Sequence, residues 1–306
     1  MSLRFRGGII SATAPTISGS GAIGVWNPRD QLQNASSWPS PAFVTATGGT
    51  ITNVGNYRYH AFTTSGTFQI VSVATSTPIE YIIVGGGGSG GTGSYGVGAQ
   101  SNGGAGSSGG VQASSFTATV NSWSLVVGAG GAGRYGSNLA GNNGVASTGF
   151  SVTAGAGNAN SGQNGGTSGT PQSYSGGGAS QYAGGGGGGA GGVGSGASGN
   201  NKASGGIGYY DSRFTQFGAA AESGTITANP TANGYFAGGG QGAGAGGTVA
   251  RSAGGGGANT NPSPSPDSSN SGVVNTGGGG SGGYADTSAS GNGGSGIVIV
   301  RYLYKS

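Results

Sequence analysis

The stretch AGGGGGGAGGVGSG, residues 183–196, decides how the rest of the chain is read, because ten of its residues are glycine. Glycine loses more conformational freedom on folding than any other residue and has no side chain to bury. Such a run either stays unfolded or is ordered by something other than a hydrophobic core. One backbone conformation offers the second outcome. An extended left-handed helix with three residues per turn has no internal hydrogen bonds and turns its N–H and C=O groups outward. Rods of this kind laid side by side can satisfy one another's main chains. Only glycine, with occasional alanine and serine, leaves room for that approach. At roughly 1 kcal/mol net per bond, the arrangement offsets the ordering cost only when nearly every group is paired.

The composition favours order. Glycine and proline sum to 79 + 10 = 89 of 306 residues, a level typical of low-complexity chains. Disordered segments, however, are usually charged and poor in aromatics. This chain has 5% charged residues and 3 + 13 + 9 = 25 aromatic ones. The strict glycine period and abundant proline of collagen are missing. The net charge of +4 comes with no basic cluster, so no nucleic-acid partner is expected. There is no cysteine for disulfides or thiolate ligands. MSLRFRGGIISATAPTISGS at the start carries only the short apolar pair Ile9–Ile10, and no apolar run of membrane-spanning length follows, so neither a signal peptide nor membrane insertion is expected.

Four regions are expected. Residues 1–47 hold Trp26, Trp38 and four prolines, with one short helix from Pro28 to about Ala35 capped by Asn27. A segment of this size cannot build its own core and reads as a docking arm. Residues 48–130 read as a β-framework, with a hairpin turn at Ser65–Gly66, a strand at Ile79–Val84, and a strand pair formed by Ser114–Val120 and Ser122–Gly131. Residues 131–296 alternate glycine runs with polar connectors, and residues 297–306 supply a closing strand, the strongest in the chain. The expected fold is mostly β and irregular: an antiparallel β-framework flanking a bundle of polyglycine II helices, with almost no α-helix.

GTFQI (66–70), IEYIIVGGGGSGG (79–91), SLVVGAGGAG (124–133) and GGSGIVIVRY (293–302), taken together, resemble the glycine-rich domain of phage tail and virion proteins; the same style of domain occurs outside a few animal receptor kinases. The segment SATAPTISGSGAIGVWNPRDQLQNASSWPSP is similar to the start of many tailed-phage virion proteins, where a G-x-W followed by W-P marks an attachment region. The resemblance implies a β-framework beside polyglycine II helices, and a tail-fibre adhesin whose tip loops bind the host surface. It implies localisation on the virion, with other virion proteins as partners through residues 1–47. Trp26, Trp38 and Pro39 are the virion-attachment candidates, and a host glycan or outer-membrane protein is the receptor. A structural decoration protein of capsid or tail is the alternative, and the oligomeric state, trimer or monomer on a larger fibre, stays open.

Catalytic chemistry has little to work with. His60 is the one histidine and completes no triad, and the six acids are scattered. No catalytic residue and no cofactor is expected; a lone calcium site at Asp211 or Asp286 is the remaining metal reading. Matches to G-x-G-x-x-G are expected by chance at this glycine content, and none opens a helix after a strand. Phe68, Phe116, Trp123, Phe150 and Tyr302 lie in strand-like context and are expected in the framework core. Tyr174, Tyr182, Tyr209, Tyr210, Phe214, Phe217, Tyr235, Phe236 and Tyr284, with Arg213, lie in or beside the polar connectors. Rigid rings on loops make contact area at little entropic cost, so these are the receptor-contact candidates. The competing reading is that they cap rods or pack between loops.

Overall fold

The computed structural model describes residues 17–18, 21–22, 43–73, 77–96, 99–159, 163–227, 229–260, 270–284 and 288–305. Its framework is built from β1 (Thr45–Thr47), β2 (Thr50–Val54), β3 (Tyr57–Phe62), β4 (Gly66–Ser72), β5 (Pro78–Val84), β6 (Val111–Thr117), β7 (Asn121–Leu125), β8 (Ser147–Gly149), β9 (Val152–Ala154) and β10 (Ile297–Leu303). A five-stranded sheet runs in the order β6-β5-β10-β3-β2 and a three-stranded sheet in the order β7-β4-β1; all pairings are antiparallel. A single 3-10 turn, Ser212–Phe214, is the helical segment among the described residues.

Apolar patterning explains which strand lies where. IVIVRYL in β10 is apolar on both faces, as a central strand covered on both sides must be, and it pairs with β5 and β3. One face turns Ile79, Tyr81, Ile83, Val298, Val300 and Tyr302 towards Phe68 and Ile70 of the three-stranded sheet, and Phe116, Trp123 and Phe150 pack against this core. The other face presents Tyr59, Ile82, Val84, Ile297 and Ile299, covered by Phe214, Phe236 and Ala237. Full burial of side chains of this size contributes about 1.5–3 kcal/mol each.

Two expected pairings come out differently. Ser65–Gly66 does not close a hairpin: β3 and β4 lie in different sheets, and residues 63–65 turn the corner between them. The hairpin is instead β2–β3, turning at Gly55–Asn56 with Gly55 at φ +58°. Likewise β6 pairs with β5, and β7 pairs with β4. Phe116 and Trp123, 5.1 Å apart, meet across the sandwich instead of along one sheet. Local sequence signals a turn equally well in both cases; what differs is which layer offers the next strand a place to bury its apolar face. The arm helix expected at Pro28–Ala35 lies outside the described residues.

Glycine segments leave the framework where its strands end. Val84 of β5 runs into Gly85, while Gly110 leads into β6 and Gly296 into β10. Their backbone bonds repeat every three residues. The N–H groups of Gly85, Gly88 and Gly91 donate to Gly110, Ser107 and Gly104; those of Gly86, Ser89 and Thr92 donate to Val145, Asn142 and Leu139; those of Gly87 and Gly90 donate to Gly294 and Gly291. Successive N–H groups thus address three neighbours in rotation.

Among the described residues, rods 85–92, 103–110, 184–190 and 277–283 are each surrounded on all sides. Residues 103–110 donate to rods 277–283, 185–188 and 155–158, and accept from 85–91, 166–169 and 240–243. Residues 184–190, within the stretch quoted at the outset, donate to 237–243, 163–166 and 192–195, and accept from 105–108, Gly177 and Gly206. Each therefore has six hydrogen-bonded neighbours and no apolar centre. Space enforces the composition: a methyl built on Gly186, Gly187 or Gly188 would lie 2.0 Å from a carbonyl oxygen, of Ser204, Gly106 and Tyr174 respectively.

Rods 85–93 and 102–110 fall inside the 48–130 span, and β1 falls inside residues 1–47, so sheets and rods interleave along the chain. The framework must close around the rods it emits, because its central strand is the last one in sequence.

Candidate functional site

The hydrogen-bond register gives the lattice two ends. The framework end holds Gly85, Gly110, Gly155, Ala190, Ala237, Gly277 and Gly296. The seven steps from Gly85 to Thr92 carry the chain away from the sheets, from the bond of the Gly85 N–H to Gly110 to the bond of the Thr92 N–H to Leu139. At that far end the rods turn back, at residues 134–139, 180–183, 198–202 and 244–248, and residues 93–96, 99–102, 284 and 288 lie at the same end.

These turns are locked by side chains that replace missing rod-to-rod bonds. Asn102 Nδ2 donates to the Tyr182 carbonyl at 2.5 Å, and the Tyr284 N–H donates to Ser288 Oγ at 2.5 Å. Asn292 Oδ1 accepts from the Gly133 N–H at 2.6 Å, and Arg134 Nη2 donates to Asn142 Oδ1 at 2.8 Å. Lys202 lies in the turn at 198–202, where burial lowers its ammonium from the ordinary lysine value.

The receptor-contact candidates divide between the two ends. Tyr182 (40% exposed) and the half-buried Tyr284 lie at the far end. Tyr174 sits at the framework end, its carbonyl accepting from Ser168 N–H, although its side chain is also 40% exposed. Tyr210 packs at a tilt against Tyr235 with ring centroids 4.8 Å apart and is 50% exposed, and both lie within the segments 209–217 and 235–237 that cover the five-stranded sheet. Phe214 and Phe236 are fully buried in that cover, and Tyr209 and Phe217 pack against it. The second reading, packing under loops, therefore describes Phe214 and Phe236, which present no surface to a partner. Their sequence context misleads because a polar connector here is folded back as a lid on apolar strands.

Arg213 is likewise engaged internally. Its guanidinium bonds Asp211 at 2.6 Å and Glu80 at 3.2 Å, and Glu80 also receives Arg301 at 2.7 Å. Asp211 caps the 3-10 turn by accepting from the Arg213 N–H. Burial alone would raise the Asp211 carboxyl, but the hydrogen bonds and charge of Arg213 hold it below the usual carboxylate value; Arg213 is correspondingly pushed up by its bond to Asp211. With both Asp211 oxygens bonded to arginine, this carboxylate is committed to an ion pair. Asp286, Trp26, Trp38 and Pro39 lie outside the described residues. No group of three or more His, Asp or Glu able to hold a metal occurs among the described residues.

His60 is fully buried between the two sheets. Its Nδ1 is 2.7 Å from the Gly48 carbonyl and its Nε2 is 3.0 Å from Tyr302 Oη. A carbonyl can only accept, so Nδ1 carries the proton and Nε2 accepts from the phenol, the neutral tautomer. Burial lowers the imidazole's pKa below its ordinary value of 6.5.

One ring missing from the sequence-based set is Tyr135, 59% exposed in the far-end turn at 134–139. Its signal was the GRYGSN context, a lone aromatic between two glycine runs. The far end thus displays Tyr135, Tyr182, Tyr284 and Arg134 among amides and hydroxyls, a surface suited to stacking and neutral hydrogen bonding.

No curated protein matches the chain. Residues 63–303 match the family described as Glycine-rich domain. The match spans the lattice and runs from the corner after β3 through the last residue of β10, and on that ground the chain belongs to the glycine-rich domain family.

Proposed function

We propose that this chain is a phage virion protein, a tail-fibre adhesin that binds the host-cell surface through the turns at the far end of its rods. In this reading the rods are polyglycine II helices, residues 1–47 attach to other virion proteins, and the receptor is a surface glycan or outer-membrane protein. The observation that supports it is polarity. Phe43 and Val44 lead into β1 at the sheet end, while a rigid lattice holds the clustered turns at the opposite end. Binding sites on loops held by a rigid scaffold are the common solution to recognition.

The test is adsorption of particles carrying Tyr135→Ser, Tyr182→Ser and Tyr284→Ser together. Adsorption should fall while incorporation and protein stability stay unchanged. Unaltered adsorption with normal particles would favour a decoration protein of capsid or tail.

A further inference from the structure

The five-stranded sheet has two edges, and the fold treats them differently. At β6 the first residue is closed off by a side chain: Gln172 Oε1 accepts from the Val111 N–H at 2.8 Å, and Gln172 Nε2 donates to the Val111 carbonyl at 2.7 Å. The glutamine amide imitates the next strand. At β2 nothing comparable is seen among the described residues. All five residues, TITNV, are exposed, with Ile51 at 48% and Val54 at 45%. The strand has no lysine, proline or bulge of the kind that normally blunts an edge.

Beside this edge stand two cations on one ring. The Arg58 guanidinium lies 4.6 Å from the Tyr304 ring centroid and Lys305 Nζ lies 5.4 Å from it. The Tyr304 N–H donates to Asn56 in the β2–β3 turn, and Arg58 Nε donates to Asn53 Oδ1 on β2 itself at 3.0 Å. Among the described residues the ion-paired carboxylates are Glu80, Asp211 and Glu222, and none pairs with Arg58 or Lys305.

We propose that β2 is a docking edge for an extended strand of a neighbouring virion component, uncharged along the paired stretch and carrying a carboxylate that meets Arg58 and Lys305. Backbone pairing gives such additions their affinity and flanking side chains their register. A second copy of this chain is the poorer occupant, since its own β2 brings no acid to the two cations. The partner's identity as a virion component rests on the function proposed above; the docking itself does not.

The probe is a short fluorescent peptide of alternating valine and threonine ending in aspartate, titrated into the full chain and followed by anisotropy. Saturable binding is expected. Ile51→Lys and Val54→Lys, both at exposed positions, should each weaken it by about tenfold or more. Arg58→Gln, or a peptide ending in lysine, should weaken it by about two- to fivefold, the range of an exposed ion pair. No saturable binding, undiminished binding to Ile51→Lys, or equal binding of the aspartate and lysine peptides would overturn the proposal. So would dimerisation through β2 that the peptide cannot compete away. A failed titration leaves the far-end adsorption test standing, and failed adsorption leaves the titration standing.

Discussion

Replacing Gly187 by alanine isolates what holds the rods together. The new methyl would sit 2.0 Å from the Gly106 carbonyl oxygen and 2.7 Å from its carbon, against an ordinary contact of 3.4 Å or more. The two rods must therefore part by about 3.4 − 2.0 = 1.4 Å along that line. Two bonds join this pair directly, Ala105 N–H to Gly185 and Ser108 N–H to Gly188, and four more tie Gly187 and Gly106 to their other neighbours: Gly187 N–H to Gly240, Gly206 N–H to Gly187, Gly240 N–H to Gly106 and Gly106 N–H to Gly280, all at 2.9–3.1 Å. A shift of that size breaks about two of them, and each buried orphan costs about 1–3 kcal/mol. Alanine returns about 0.4–1 kcal/mol by restricting the unfolded chain. The net loss is about 1–5.6 kcal/mol. Gly178→Ala is the matched control, because nothing lies within 4 Å of its added carbon. It should be neutral or slightly stabilising. Urea titration of the purified variants measures both. If Gly187→Ala falls within about 0.5 kcal/mol of Gly178→Ala, the lattice is not what orders these glycines.

Further outcomes follow from the framework. Because burial depresses the His60 pKa below 6.5, the unfolded chain binds the proton first as pH falls; stability is flat above about pH 6.5 and declines below it by up to about 1.4 kcal/mol per pH unit. Melting temperatures from pH 7.5 to 5 should show that slope in the native chain and lose it in His60→Gln. Phe214→Ala should cost about 3–5 kcal/mol, measured by urea titration, since the ring is fully buried against the five-stranded sheet. Glu80→Gln removes the carboxylate shared by Arg213 and Arg301 and should lower the melting temperature more at low salt than at high salt.

How far sequence alone carries the structure depends on which distance scale sets each element. The strand at 79–84 and the closing strand announce themselves because a continuous β-branched run has few other uses. Glycine-rich runs expose the rods, since at Gly186, Gly187 and Gly188 an added methyl would lie 2.0 Å from a neighbouring carbonyl oxygen. Pairing partners were harder. The turn at residues 63–65 and the one between β6 and β7 look like hairpins locally, and only the competition of two sheets for Phe68, Phe116 and Trp123 sends their arms apart. Loop aromatics were hardest. Phe214 and Tyr182 sit in equally polar surroundings in sequence, yet one lands beneath a sheet and the other at a tip, according to which end of a rod its connector leaves.

Cohesion among amides has a thermal consequence. Unfolding a rod wets peptide groups and almost no hydrocarbon, and polar exposure lowers the heat capacity of unfolding where apolar exposure raises it. The rods' share of the stability curve is accordingly shallow, changing little with temperature, while the sandwich beneath them keeps the usual curvature.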